Sequence, residues 1–244
     1  MSWKNKTYLI TGGSSGIGLQ TAKALTEKGA SVVIVGSNPA KLDSALRELP
    51  EGNHGICFDL KNLGQIEEIF TQCANLGIVF DGMVHCAGIS PLMLVRENDL
   101  QTMLDTFSVN YFSFVELVKY FQRETVSAPT AAIVAISSIA ASQPTNRQSV
   151  YASSKAALEE TVRCLSKELM LRHIRINALA LGAVRTEMYN KLEKENPSLG
   201  NRYPLGAIAL PAVSDAILYL LSEKAGYMTG TIIKMDAGHD AWLQ

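Results

Sequence analysis

Residues 8–28 read YLITGGSSGIGLQTAKALTEK. Three apolar residues, Tyr8-Leu9-Ile10, run into Thr11-Gly12-Gly13-Ser14-Ser15-Gly16-Ile17-Gly18, and a helical pattern over Ile17–Lys28 follows. Glycine lets a backbone turn tightly and come close to another group. The start of the helix behind such a turn offers unpaired N–H donors and a partial positive charge to an anion. A plain glycine-rich turn would explain a lone glycine pattern equally well. Here the pattern joins the first strand to the first helix, which favours a cradle for a pyrophosphate. Its T-G-x-x-x-G-x-G spacing differs from the general G-x-G-x-x-G fingerprint.

The same alternation continues outward from this unit. Apolar runs at Val32–Val35, Gly55–Phe58, Met83–His85, Ala132–Ile136, Ile174–Ala180 and Thr231–Met235 read as strands buried on both faces. Helical patterns cover Ala40–Glu48, Gln65–Cys73, Leu100–Arg123, Val150–Arg172 and Val213–Ser222. Strand–helix alternation of this kind implies an α/β, doubly wound parallel sheet. A chain of 244 residues suits one such domain or two small ones, and no linker or repeat divides it. One segment, Tyr189–Pro204, breaks the pattern with Pro197, Gly200 and Pro204 and reads as a mobile insertion of about residues 189–204.

Bulk properties narrow the function classes. The net charge of −1, with no basic stretch, argues against nucleic acid as the main partner. The longest apolar run, Ala131–Ala141, is interrupted by Ser137 and Ser138 and falls short of a membrane span. The polar approach Met1–Lys6 is too short for a signal peptide. Four scattered cysteines without a C-x-x-C pair imply neither a disulfide framework nor a metal site, so a cytoplasmic location is expected.

Tyr151 and Lys155 stand four apart in a helical pattern, on one face and one turn apart. An ammonium beside a phenol favours the phenolate and lowers its pKa. A tyrosine so poised can protonate a developing alkoxide or deprotonate an alcohol. Ser138 follows the fifth strand, at the carboxyl end where open α/β sheets bind ligands. A surface helix pair and a polar loop would account for each feature alone; together they would have to coincide with a nucleotide turn.

These motifs resemble the short-chain dehydrogenase/reductase family. TGGSSGIG (11–18), CAG (86–88), Asn110, ISS (136–138), YASSK (151–155), RINA (175–178) and YMTG (227–230) match it in order and spacing over essentially the whole chain. The resemblance implies a single Rossmann-like domain with a seven-stranded sheet in the order 3-2-1-4-5-6-7. It implies hydride transfer between NAD(P) and a ketone or secondary alcohol. Ser138 would polarise the carbonyl, Tyr151 would be the acid/base, Lys155 would also hold the nicotinamide ribose, and Asn110 would position a water for proton relay. The cofactor would meet Gly12, Ser14, Ser15, Gly16, Ile17 and Gly18, then Ser37 and Asn38, then Asp59 and Leu60. Asp59 would read the adenine amino group, or serve as a helix N-cap. Cys86, Ala87, Gly88, Val184 and Thr186 would complete the contacts. Family members commonly pair through the fourth and fifth helices, so a homotetramer is expected, with a dimer as the fallback.

The chain departs from the family pattern at several points. Cys86 stands where an asparagine normally supports the sheet, Leu181-Gly182 replaces P-G, and Asp236-Ala237-Gly238 replaces D-G-G. No acid stands at Gly36 to bind a ribose 2′-OH, which favours NADP(H) over NAD(H). The arginine of many NADP-dependent members is missing at Ser15 and Ser37; Ser14, Ser37 and Asn38 could donate to a 2′-phosphate instead, and Lys41 could reach it from the next helix or be a solvated helix residue. The loops after strands four, five and six suggest a partly apolar substrate pocket from Ile89, Pro91, Leu92, Met93, Leu94 and Ile139. Gln143, Asn146 and Gln148 add polar groups, with Arg96, Arg147 and Arg185 nearby. A 3-oxoacyl-acyl-carrier-protein reductase is the close rival: Arg163, Lys167 and Arg172 could dock an acidic carrier, although Glu124–Ala132 holds no basic residue. A non-catalytic NAD(P)-binding regulator is the rival of another class, and it would be expected to lack Tyr151 or Lys155.

Overall fold

A computed structural model describes residues 3–195, 200 and 202–242. Seven strands form one sheet: β1 (Thr7–Thr11), β2 (Ser31–Gly36), β3 (His54–Cys57), β4 (Phe80–His85), β5 (Ser127–Ser138), β6 (Arg175–Leu181) and β7 (Ile232–Met235). Every pairing is parallel, in the expected order β3-β2-β1-β4-β5-β6-β7. The chain winds outward from β1 to β3 and then returns to β4. The order therefore reverses between β1 and β4, which opens a crevice at the carboxyl ends of these strands.

The strands read as unbroken apolar runs because both faces of the sheet are covered. Alternate residues point to opposite faces. Tyr8, Ile10, Val32, Ile34, Val84 and Val134 pack against α1 (Gly16–Glu27), α2 (Pro39–Arg47) and α8 (Leu210–Leu221). Leu9, Val33, Val35, Met83, Ile133 and Ala135 pack against α3 (Glu67–Asn75), α5 (Ser113–Phe121) and α6 (Ser149–Glu168). No helix among the described residues is long and apolar enough to cross a membrane.

Four stretches differ from their sequence reading. The pattern over Leu100–Arg123 divides into α4 (Leu100–Phe107), a π-helical turn (Ser108–Phe112) and α5. Such turns insert one extra residue into a helix and recur at functional sites; this one carries Asn110. β5 is longer than Ala132–Ile136, because its pairing with β4 resumes at Phe80–Ser127 after a register shift, with Thr130 at a φ of 68°. The segment taken as an insertion begins as α7 (Glu187–Glu195), started by Thr186, whose Oγ1 accepts from the Tyr189 N–H at 3.2 Å. Its breakers Gly200 and Pro204 lie beyond that helix, and Pro197 lies outside the described residues. A last helical turn, α9 (His239–Trp242), is too short to show periodicity and is tied down by Asp236, which accepts from the Asp240 N–H at 3.0 Å. On α5, Phe114 and Leu117 are core residues, so Leu100, Leu104 and Phe112 are what this helical pair leaves exposed.

Candidate active site

A cavity of about 570 Å³ occupies the crevice, walled by the glycine turn, the loop after β4, the end of β5, α6 and the segment after β6. Gly12 has a φ of +66°, and a Cβ there would come within 2.8 Å of the Ala87 nitrogen. A Cβ on Gly18 would drive into the Gly12 carbonyl oxygen. These two glycines let the turn lie against the neighbouring loop and let α1 start against the turn. Gly16 is different: its φ is +53° and an added Cβ would face only Thr186, at 3.6 Å. A side chain there would enter the cavity. Ser15 precedes α1 in extended conformation without making a side-chain cap, so the first N–H groups of α1 are left to another acceptor. A glycine-lined hollow at an uncapped helix start fits a dinucleotide pyrophosphate.

Across the cavity, Tyr151, Lys155 and Ser138 meet on its walls. The Lys155 ammonium is buried and donates to the Ile136 carbonyl at 2.8 Å. Burial lowers its pKa to about 8, against opposing charge effects from Cys86 and Glu159. Burial also holds the Tyr151 phenol above its ordinary pKa, with a hydrogen bond to Ser138 as the countervailing influence. The expected depression by Lys155 is therefore not found: desolvation disfavours the phenolate more than the surroundings favour it. The Ser138 hydroxyl oxygen accepts from the Ala140 N–H at 3.2 Å, which leaves its proton to be donated. Asn110 lies behind this group. Its Nδ2 donates to the Ile89 carbonyl at 2.9 Å and to Ser154 Oγ at 3.0 Å, and its Oδ1 accepts from the Ile89 N–H at 2.8 Å. Both amide hydrogens are engaged in this clamp, and Oδ1 keeps one lone pair beyond its bond to Ile89.

Comparison with known proteins agrees with this geometry. A family model described as enoyl-(acyl carrier protein) reductase matches residues 12–240. The 3-oxoacyl-[acyl-carrier-protein] reductase of Chlamydia trachomatis is 32% identical over 96% of this chain and 97% of its own. The L-xylulose reductase of Caenorhabditis elegans is 31% identical over 96% of this chain and 95% of its own. A short-chain type dehydrogenase/reductase from Mycobacterium ulcerans superposes with a TM-score of 0.89 at 28% identity, covering 98% of this chain and 91% of that one. The chain belongs to the short-chain dehydrogenase/reductase family. It is an oxidoreductase of carbonyl and alcohol groups.

The remaining expected cofactor residues of this dehydrogenase/reductase divide into two groups. Gly12, Ser15, Gly16, Ile17, Gly18, Cys86, Ala87, Gly88, Val184 and Thr186 line the cavity with Tyr151 and Lys155. Ser14, Ser37, Asn38, Asp59 and Leu60 lie outside its walls, towards the open ends of β2 and β3. Ser37 and Asn38 are exposed there, and the Leu60 side chain is buried in the core. Asn38 caps α2, its Oδ1 accepting from the Lys41 N–H at 3.0 Å. Asp59 caps a turn rather than a helix, accepting from the Lys61 N–H at 3.0 Å. Lys41 does line the cavity and pairs with Glu187 at 3.8 Å. Beside Cys86, the ends of β1 and β4 are tied by Thr11 Oγ1 and His85 Nδ1, 2.9 Å apart.

The substrate end also differs in detail from its sequence reading. Of the apolar set only Ile89 and Ile139 reach the cavity, and of the polar set Gln143 and Gln148. Arg96, Arg147 and Arg185 do not line it, whereas Arg202 does. Arg147 is turned to the Leu92 carbonyl, 3.1 Å away. Tyr203 and His239 form a stacked wall, 5.1 Å between centroids, that no local pattern announced because a loop and the start of α9, distant in sequence, supply it. The Arg202 carbonyl can only accept, so its 2.9 Å contact places a proton on His239 Nδ1. Glu159 was also missed, although it stands one further turn along the face of Tyr151 and Lys155.

Proposed function

We propose that this protein is an NADPH-preferring carbonyl reductase in which Tyr151 is the proton donor. The convergence of Tyr151, Ser138 and Lys155 on one cavity wall carries this reading. Burial keeps the phenol protonated until the substrate oxygen takes its proton, the state a general acid needs. The glycine turn would hold the pyrophosphate, and Tyr151 with Lys155 the nicotinamide ribose. The bound nicotinamide supplies the hydride. Ser138 and Tyr151 both donate to the substrate oxygen, where negative charge builds up. Tyr151 then transfers its proton to that oxygen, and the Lys155 ammonium stabilises the phenolate. One N–H of Lys155 is engaged by Ile136, leaving two for this work. The charge on Lys155 is present below about pH 8 and lost above it, so the reductive rate is expected to fall as pH rises through that value. A panel of both cofactors against ketones, hydroxyketones and acyl thioesters tests the reading. Cofactor binding without turnover of any carbonyl would favour the regulator instead.

NADP preference rests on Gly36 together with Lys41. A Cβ on Gly36 would lie 2.9 Å from Ser14 Oγ, so the Ser14 hydroxyl covers the end of β2. Gly36→Asp is expected to displace that hydroxyl and repel a 2′-phosphate, weakening NADPH binding about ten-fold or more relative to NADH. Equal affinity for both cofactors in the parent, unchanged in the variant, would rule this out.

A 3-oxoacyl thioester specificity is the second reading, favoured by the Chlamydia relative. Against it, Arg172 is drawn into the fold, donating to the Gln122 carbonyl and, at 3.3 Å, to that of Ser127. Arg163 pairs with Glu160 at 2.9 Å. Carrier docking would leave the acyl-thioester arm of the panel dominant. Exposed Leu100, Leu104 and Phe112 support a homotetramer, or a dimer, of a cytoplasmic enzyme. Light scattering giving a monomer at micromolar concentration would refute the assembly.

A further inference from the structure

β5 and α6 meet along three rungs. Ser138 stands close enough to Tyr151 on the cavity wall to favour its phenolate against the effect of burial. Lys155 donates to the Ile136 carbonyl at 2.8 Å. The Ser137 hydroxyl donates to Glu159 Oε1 at 2.7 Å. Three successive strand residues thus engage helix positions one turn apart, which share a face. The proposed chemistry uses the first two rungs and leaves the third unexplained. Glu159 is only 9% exposed and Ser137 3%. A carboxylate removed from water at that depth needs a counter-charge as well as a hydrogen bond.

The groups facing Lys155 can be sorted by charge. His85, at the end of β4, is neutral, because burial and the nearby Lys155 charge push its pKa down to about 3. Cys86, in the loop after β4, is a neutral thiol, pushed up to about 12 by burial. Tyr151, on the same helix, is held protonated by burial. Cys86 would oppose the desolvation of Lys155 most strongly if it ionised, yet it does not ionise in the working pH range. Glu159 is then the one anion acting on the lysine among these neighbours.

We propose that Glu159 is a positioning residue of the active site: its buried carboxylate keeps Lys155 in the ammonium form and, through Ser137, fixes the end of β5 that carries Ser138. The proposal rests on Tyr151 and Lys155 having the roles given above. The plain alternative is that Glu159 only anchors α6 to the sheet.

Glu159→Gln separates the two, because the amide oxygen still accepts from Ser137 while the charge is gone. Glu159→Leu removes both. Ionisation of Lys155 is read by NMR on protein labelled at lysine Cε, the signal being assigned by its absence in Lys155→Met. This needs neither cofactor nor substrate. The alkaline limb of kcat for carbonyl reduction and the thermal midpoint are measured beside it. In Glu159→Gln the Lys155 midpoint is expected to fall by about half a pH unit or more, since loss of a nearby opposite charge disfavours the ammonium. The alkaline limb should fall with it, and Tm should stay near the parent's. Glu159→Leu should show the same shift with a lower Tm. An active parent whose Gln variant keeps both the Lys155 midpoint and the limb would overturn the proposal, leaving Glu159 an anchor. A parent inert on every carbonyl would instead overturn the functional reading, and the NMR shift would still decide whether Glu159 sets the charge on Lys155.

Discussion

Tyr151→Phe is expected to lower kcat for carbonyl reduction about 100-fold or more, the usual worth of positioned general acid catalysis. Cofactor affinity should fall only a few-fold, about the worth of the one neutral hydrogen bond that the phenol would give the ribose. The substitution keeps the half-buried ring in its seat on α6 and deletes only the oxygen. Ser138 remains, its lone pair engaged by the Ala140 N–H and its proton free for the substrate oxygen. The variant therefore still polarises the carbonyl but has no proton to give at the moment charge develops. An interaction made only in the transition state shows up in kcat rather than in binding. Single-turnover hydride transfer to a reducible ketone measures the step directly. Near-parent rates in the variant would mean that the proton has another source and that Tyr151 is misassigned.

How far the sequence carries depends on how local each feature is. The five central strands are buried on both faces and betray themselves as short unbroken apolar runs; the edge strands β3 and β7 are less buried but still carry short apolar runs, and the T-G-x-x-x-G-x-G turn fixed where the crevice lies. Tyr151 and Lys155 were legible because one turn of helix brings them together. Glu159 extends the same face but sits in a Glu159-Glu160 pair that reads as a solvated surface; only Glu160 is exposed. The π turn at Asn110 leaves the apolar spacing of Leu100–Arg123 nearly intact, so the sequence showed one helix where the backbone makes three pieces. Tyr203 and His239 meet only through tertiary contact. The direction of the Tyr151 pKa shift was misread for a related reason: the Tyr151–Lys155 spacing reveals the pair, whereas the depth at which it is buried depends on the whole fold.

Lys155→Met should produce a lesion distinguishable from that of Tyr151→Phe. Methionine keeps most of the stem volume and removes the ammonium. Two functions go at once, the charge that stabilises the Tyr151 phenolate and the donors offered to the cofactor ribose. We expect kcat to fall about 100-fold or more, as for a lost general acid. Cofactor affinity should fall about ten-fold, the worth of one charge-assisted hydrogen bond of roughly 1.5 kcal/mol. The fall in reductive rate near pH 8 should vanish from the residual activity, because the group titrating there is gone. Stability should drop as well, since the buried Glu159 carboxylate, hydrogen-bonded to Ser137, loses the attraction of the Lys155 charge. The double variant Lys155→Met/Glu159→Gln removes that stranded anion, so its Tm should recover towards the parent while its activity stays lost. A coupling of this kind, positive for stability and absent for turnover, is what a double-mutant cycle measures. If Lys155→Met kept parent cofactor affinity, the lysine would have no part in holding the nucleotide. If the double variant were no more stable than the single one, the charge coupling of Lys155 to Glu159 would be the idea to abandon.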